Sequence, residues 1–415
     1  MVTNASNDIK ILRELAKQYT ELANKPVQEE RRRLWAAHFS LKKTRPPIIV
    51  LYGMYNVWCR EVFGDRAMRC ADPFYRAHER ELRMKIFHDS IGDDFIMEPW
   101  LTQNASVRAD WESLWGLKEG HSEKPMEGGS WKFKPPLKDW SDLSKIKYTR
   151  HEIDETETRL NVERINDAVG DILPIDVTRR PIFSGLTGDI STKLAALRGL
   201  EQIMIDMYES PKELHKLLAL MRDGILMNNA EAERAGHYSL TTQSNQAMPY
   251  TEELERPRPN SGPRKRKNLW GFCAAQEFTL VSPAFHEEFL IRYQLPICEH
   301  FGLVHYGCCE NLTRKIDILR SFKNLRSIAV TPTADVKECA EQIGRDYAIS
   351  WRPNPTDMVC TGWDETRIHR IIKDGLHACR NGFVHVNLKD IETVQGDVSR
   401  LARWTDIVRG EIDRI

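Results

Sequence analysis

The chain has 415 residues, enough for one large domain or two ordinary ones, and its 41% hydrophobic and 29% charged residues allow a sizeable core and exclude global disorder. Sixty Lys+Arg against sixty Asp+Glu leave no basic excess of the kind a dedicated nucleic-acid binder carries. No apolar run approaches the ~18–20 residues needed to cross a bilayer, and the polar N-terminus has no signal-peptide block, so a soluble cytoplasmic protein is expected.

In chain order, helical patterns dominate the first ninety residues. Asn7 or Asp8 is placed to cap a helix over 9–22, whose Ile9, Leu12, Leu15, Ala16 and Tyr19 follow a helical period. Residues 76–91 read the same way. Between them Pro46-Pro47 introduces an apolar run at 48–52, a strand or a buried arm. Residues 1–92 thus read as a helical N-terminal arm.

From 93 onward short β-favouring runs recur at 94–99, 181–186, 238–242, 269–274, 302–308, 325–330, 346–351 and 383–388. Helix-type segments lie between most of them, at 192–208, 211–235, 283–301, 312–322, 336–343 and 364–379. Alternating strand and helix implies parallel strands joined by crossovers. Eight strands close a (β/α)8 barrel, so the expected fold is α/β, with a TIM barrel over 93–415. An open doubly wound sheet is the rival, but no Gly-x-Gly-x-x-Gly turn follows an early strand.

Two stretches interrupt the rhythm. Residues 118–148 contain Gly128-Gly129-Ser130-Trp131 and Pro135-Pro136; residues 255–268 contain Arg264-Lys265-Arg266-Lys267. Both are expected to leave C-terminal strand ends, the face on which barrel enzymes carry their chemistry.

Nine cysteines show no regular spacing, which points to reduced thiols rather than a disulfide framework. The densest group of ligand-type residues is His305-Tyr306-Gly307-Cys308-Cys309-Glu310. Strand alternation would put His305, Gly307 and Cys309 on one face and Tyr306, Cys308 and Glu310 on the other. Imidazole, thiolate and carboxylate are the donors Zn²⁺ takes, and a catalytic site needs three of them. A buried histidine beside two buried thiols is the plainer alternative.

Three further groups are expected on the same face. Trp270, Gln276 and Glu277 precede Ser282-Pro283, a cap with Pro at the first helical position. Glu277 there is a candidate proton donor, metal ligand or substrate anchor. In Trp351-Arg352-Pro353-Asn354-Pro355 the two prolines fix the backbone and would hold Arg352 and Asn354 in place. Asn387-Leu388-Lys389-Asp390 ends the last strand, with Lys389 and Asp390 either an ion pair or a pocket wall. Neither a nucleophile elbow nor a phosphate loop is present.

Taken together, Gly92-Asp93-Asp94, Leu197-Arg198-Gly199, Tyr208-Glu209-Ser210-Pro211, Trp270-Gly271, Gln276-Glu277-Phe278, Ser282-Pro283, Tyr306-Gly307-Cys308-Cys309-Glu310 and Arg352-Pro353-Asn354-Pro355 resemble the uroporphyrinogen decarboxylase superfamily. They look most like its zinc-dependent, corrinoid-linked methyltransferases, O-demethylase components included. The resemblance implies a barrel that moves a methyl group from a small methylated substrate, an O-methyl aromatic or a methylamine, to the Co(I) corrinoid (a cobalamin) of a partner protein. Zinc would activate the leaving heteroatom.

On this reading His305, Cys308, Cys309 and Glu310 are the candidate metal ligands. Glu277, Asp390 and Asn354 are candidate catalytic residues, and Trp270, Gln276, Tyr306 and Arg352 would line the substrate pocket. Barrels of this kind commonly pair, so a homodimer is expected, and the basic run 264–267 is a candidate contact for the corrinoid protein. Two departures matter. The arginine-rich segment with which the decarboxylases grip porphyrin has no counterpart in 46–60, and the His-x-Cys pair of the coenzyme M methyltransferases is interrupted by Gly307. The alternative is a metal-independent decarboxylase with Arg179, Arg180 and Arg352 as carboxylate clamps.

Overall fold

The computed structural model describes residues 2–51, 61–62, 64–123, 132–242, 244, 246–360 and 362–415. Cys59, most of the segment 46–60 and the Gly-Gly-Ser-Trp run at 128–131 lie outside the described residues.

Eight parallel strands occur among them: β1 (Ile48–Leu51), β2 (Leu101–Asn104), β3 (Ile175–Thr178), β4 (Trp270–Cys273), β5 (Leu303–Tyr306), β6 (Leu325–Val330), β7 (Ala348–Trp351) and β8 (Phe383–Lys389). Six form one sheet in the order β1-β8-β7-β6-β5-β4, and β2-β3 form a separate parallel pair. The first strand lies beside the last, as in a closing barrel and unlike a doubly wound sheet, where the first strand is central. The hydrogen-bonded ring is not closed, so the expected eight-stranded barrel is observed as a six-stranded sheet and a two-stranded one.

Five expected strands form. The runs at 94–99, 181–186 and 238–242 do not. The first is tied to β1 by a single backbone bond, Asp94 N to Ile48 O, and by side chains instead of a ladder: Asp94 Oδ2 accepts from Ile48 N and Asp93 Oδ2 from Val50 N, all at 2.8 Å. The run at 48–52 is a strand of the main sheet, in register Ile48↔Val386.

Alternation along the strands sorts the two faces. Val304 and Tyr306, Ile328 and Val330, Ile349 and Trp351, and Val386 and Leu388 belong to the main apolar core. The opposite face is polar at its centre, carrying His305, Ser327, Ser350, His385, Asn387 and Lys389. Helix Pro26–Phe39 covers its N-terminal end, where Trp35 and Phe39 pack with Ile49, Trp270, Leu303 and Ala348.

In the arm, helix Val2–Ala23 begins earlier than the cap residues predicted, so Asp8 lies inside it. The Asp8 carboxylate instead accepts from Ala71 N and Asp72 N, fastening the start of helix Pro73–Asp89 to helix Val2–Ala23. The helix expected over 192–208 breaks into Ser191–Arg198 and Leu200–Glu209 at Gly199, whose φ of 89° leaves the helical region.

The basic run corrects an expectation. It leads into the N-terminal end of β4, away from the C-terminal strand ends. Arg264 pairs with Glu255 at 3.0 Å and Arg266 with Glu233 at 3.2 Å, so both are neutralised within the chain. No helix among the described residues is long and apolar enough to cross a membrane.

Candidate active site

The site is built at the C-terminal end of β5. Gly307 follows the strand with φ at 106°, a conformation that glycine adopts without a side-chain clash. That turn breaks the alternation the sequence predicted. Cys308 swings to the polar face, buried against Phe272 and Ala274, while Cys309 is exposed.

The two sulfurs lie 3.6 Å apart, and Lys389 Nζ is 3.6 Å from Cys308 Sγ. A hydrogen bond from the Cys309 thiol, helped by the charges of Lys389 and Arg352, brings the Cys308 thiol down to about 6 against the effect of burial. The same bond pushes Cys309 up. One thiolate shared by two sulfurs is the state this favours.

Glu310 is not free to join them. It is fully buried, with Oε1 accepting from Ala275 N at 2.7 Å and Oε2 from Cys308 N at 2.9 Å. The carboxylate clamps the loops after β4 and β5 to each other. His305 is buried beneath Phe272, its ring parallel to the phenyl at 6.2 Å. Its Nε2 is 3.4 Å from Arg352 Nη2, and its Nδ1 has no partner. Burial first, then the charges of Arg352 and Lys389, hold this imidazole well below its ordinary range, so it is neutral. Among the described residues no three His, Cys, Asp or Glu side chains are grouped to hold a metal ion.

Arg352 lies just past β7, 4% exposed, and donates from Nη1 to Cys308 O. Lys389 forms no ion pair with Asp390, which is exposed, has φ at 59° and acts electrostatically on Cys309. Asn354 is exposed and caps its own turn, with Oδ1 accepting from Thr356 N at 3.0 Å.

Two expected pocket residues stand elsewhere. Trp270 is at the N-terminal end of β4, stacked edge-on against Phe39 with Nε1 donating to Pro249 O. Tyr306 points to the helix side, its hydroxyl between His286 and Gln294 at 2.9 Å each. The carboxylate clamp of the decarboxylase reading is not assembled either, because Arg179 is bidentate to Glu155 and Arg180 is exposed.

A second polar group lies on the loop after β4. Glu277 accepts from Ser191 Oγ at 2.6 Å and from Gln276 Nε2 at 3.2 Å, and Gln276 also donates to Thr192 Oγ1. Beside them Asp189 is fully buried, and desolvation and the neighbouring Glu277 charge raise its carboxyl well above the usual range. Sequence reading missed Asp189. The available signal was Gly188-Asp189-Ile190-Ser191-Thr192, an Asp three residues before a Thr at a helix start. It also missed His385, which lies on the same face with Nδ1 2.9 Å from His38 Nε2.

No family model matches the sequence, and no curated protein matches it. A solved structure of a methyltransferase from Methanosarcina mazei is similar over 92% of this chain and 98% of that one, at 12% identity and a TM-score of 0.48. A likeness at that level says nothing about chemistry, which is argued from the site.

Proposed function

We propose that the chain is a methyltransferase that moves a methyl group from a small methylated ether or amine to the Co(I) corrinoid of a partner protein, as the resemblance of its motifs implies. The observation that supports this best is the thiol pair Cys308–Cys309 at a strand end, in a state that favours one thiolate. Zinc is part of the proposal through those two sulfurs. With Zn–S near ~2.3 Å, the edge of a tetrahedral site is about 3.8 Å, close to the observed spacing. Cys308 and Cys309 would hold the ion, Glu310 would not, and His305 with its unpartnered Nδ1 is the remaining candidate. When bound, zinc supplies Lewis-acid activation of the leaving oxygen or nitrogen.

The chain's own residues do the rest. Lys389 and Arg352 favour the anionic form of Cys308. Glu277, fixed by Ser191 and Gln276, is the side chain proposed to assist the leaving heteroatom. Phe272 and Ala274 keep water from the buried sulfur.

The test is elemental analysis of the purified chain with a Cys308→Ser, Cys309→Ser variant, followed by spectroscopic methylation of free cob(I)alamin with methoxy- and methylamine donors. About one zinc per chain, lost in the variant together with methylation, is the expected result. Metal-free protein that methylates nothing but releases carbon dioxide from a carboxylic acid would replace this reading with the lyase.

A further inference from the structure

Four cationic side chains are buried among the described residues, and three have evident compensation. Arg198 is bidentate to Asp206 at 2.6 and 3.0 Å. Arg266 pairs with Glu233. Lys315 donates to two carbonyls, Phe278 O at 2.6 Å and Thr279 O at 3.3 Å, within reach of the Glu310 charge. Arg352, 4% exposed, meets a backbone carbonyl and a neutral imidazole, and none of the ion pairs among the described residues includes it. Its Nε is buried without a partner. Lys389, in none of the ion pairs among the described residues, adds a second positive charge at the same strand ends. Even with Cys308 ionised, that sulfur faces two cations, and the nearby Glu310 carboxylate is already taken up by Ala275 N and Cys308 N.

Unpartnered polar atoms surround this charge on the same face of the sheet. His305 Nδ1, Ser350 Oγ, His385 Nε2 and Asn387 Oδ1 are buried and unbonded, and come from β5, β7 and β8. Strand register sets Ser350 beside His385. A folded chain rarely leaves so many buried polar groups of one neighbourhood unsatisfied unless a ligand completes them. The interior of a barrel is ordinarily filled by branched apolar side chains. Uncompensated guanidinium and ammonium groups call for an oxyanion, and the planar fork of arginine matches a carboxylate.

We infer that Arg352 and Lys389 bind the carboxylate of the substrate, so that the small molecule turned over beneath the thiol pair is a methylated carboxylic acid. The carboxylate takes the free Nε edge of Arg352 and the ammonium of Lys389. Ser350 and the two histidines complete the hydrogen bonds, and the methylated end is left toward Cys308. This deepens the proposed function and rests on it for what is transferred, though not for what is bound.

The experiment is calorimetric binding to the full chain of a panel of methoxy acids, from methoxyacetate to 4-methoxybenzoate, each beside its neutral amide and beside inorganic phosphate. At least one acid is expected to bind about tenfold or more tighter than its amide, the scale of one good charge-assisted contact. Arg352→Met and Lys389→Met should each abolish that preference. Arg352→Met should melt no lower than the wild type without ligand, because it removes an uncompensated buried charge. Should it fail to fold, Arg352→Lys serves, keeping the charge but losing most of the preference with the fork. The inference is overturned if no acid binds, if acid and amide bind equally, if the preference survives both Met variants, or if phosphate displaces every acid. Acid binding without methylation of cob(I)alamin would defeat the transfer reading and leave this one standing. Methylation with no acid preference would do the reverse.

Discussion

A carboxylate that accepts two backbone amides out of water does so through charge-assisted bonds, stronger than neutral ones. Glu310 holds Ala275 N and Cys308 N in this way, so it fixes where the thiols stand without acting on substrate. Glu310→Ala is expected to lower stability by about 2–4 kcal/mol through two unsatisfied amides, read as a shift of the urea midpoint; a loss below about 1 kcal/mol would show the amides finding other partners. Asp189 behaves oppositely. Its carboxyl is raised well above the ordinary range by burial and by Glu277, so the folded state keeps a proton that the unfolded state has released. Stability therefore falls as pH rises from the ordinary carboxyl range toward the raised value. This contribution opposes the loss of stability in acid that buried neutral histidines cause, so Asp189→Asn should make the midpoint fall more steeply on acidification between pH 7 and 4, and an unchanged slope would mean another group carries it.

Element by element, β5 shows how one glycine sets the site. Up to Tyr306 the strand alternates, and its period was legible in the sequence. At Gly307 the left-handed turn puts Cys308 inside and Cys309 outside, which no period-two count anticipates. A Cβ at Gly307 would come 2.9 Å from Ala329 Cβ and 3.0 Å from Leu312 Cδ1, besides being strained at that φ. Gly307→Ala is expected to cost about 1–3 kcal/mol. It should also separate the sulfurs, so that metal binding falls by more than the lost stability accounts for; unaltered metal content would show that the turn does not govern the thiols. Helix Val336–Ile343 matched its predicted span because its apolar residues repeat at the helical period under an Asp335 cap. The runs at 181–186 and 238–242 misled because β-branched, apolar residues also suit irregular segments packed under helices, and only ladder partners tell the two apart. Arg352 was legible as a candidate from the Pro353-Asn354-Pro355 turn that follows it. The paired His38 and His385 were not, since 347 residues separate them.

For the whole molecule, helix Pro26–Phe39 docks on the sheet through the sheet's polar face. His38 enters from that helix and meets His385 at 2.9 Å, with Trp35 and Phe39 around the pair. Burial brings His38 down to about 3, and burial with the nearby charges pushes His385 well below its ordinary range. Both rings are thus neutral in the folded chain. Below about pH 6.5, the ordinary histidine value, the unfolded chain binds protons that the folded chain refuses, so stability drops as pH falls. For His38 the loss continues down to about 3. Each such histidine costs up to about 1.4 kcal/mol per pH unit across its window. Since both hold helix Pro26–Phe39 against the sheet, acid should loosen that contact as one step. Melts at pH 7, 6, 5 and 4 are expected to show a falling midpoint whose slope is reduced in His38→Phe, which fills the site without a titrating nitrogen. A midpoint that holds constant from pH 7 to 5, or an equal slope in the variant, would mean that this histidine pair does not control how helix Pro26–Phe39 is held.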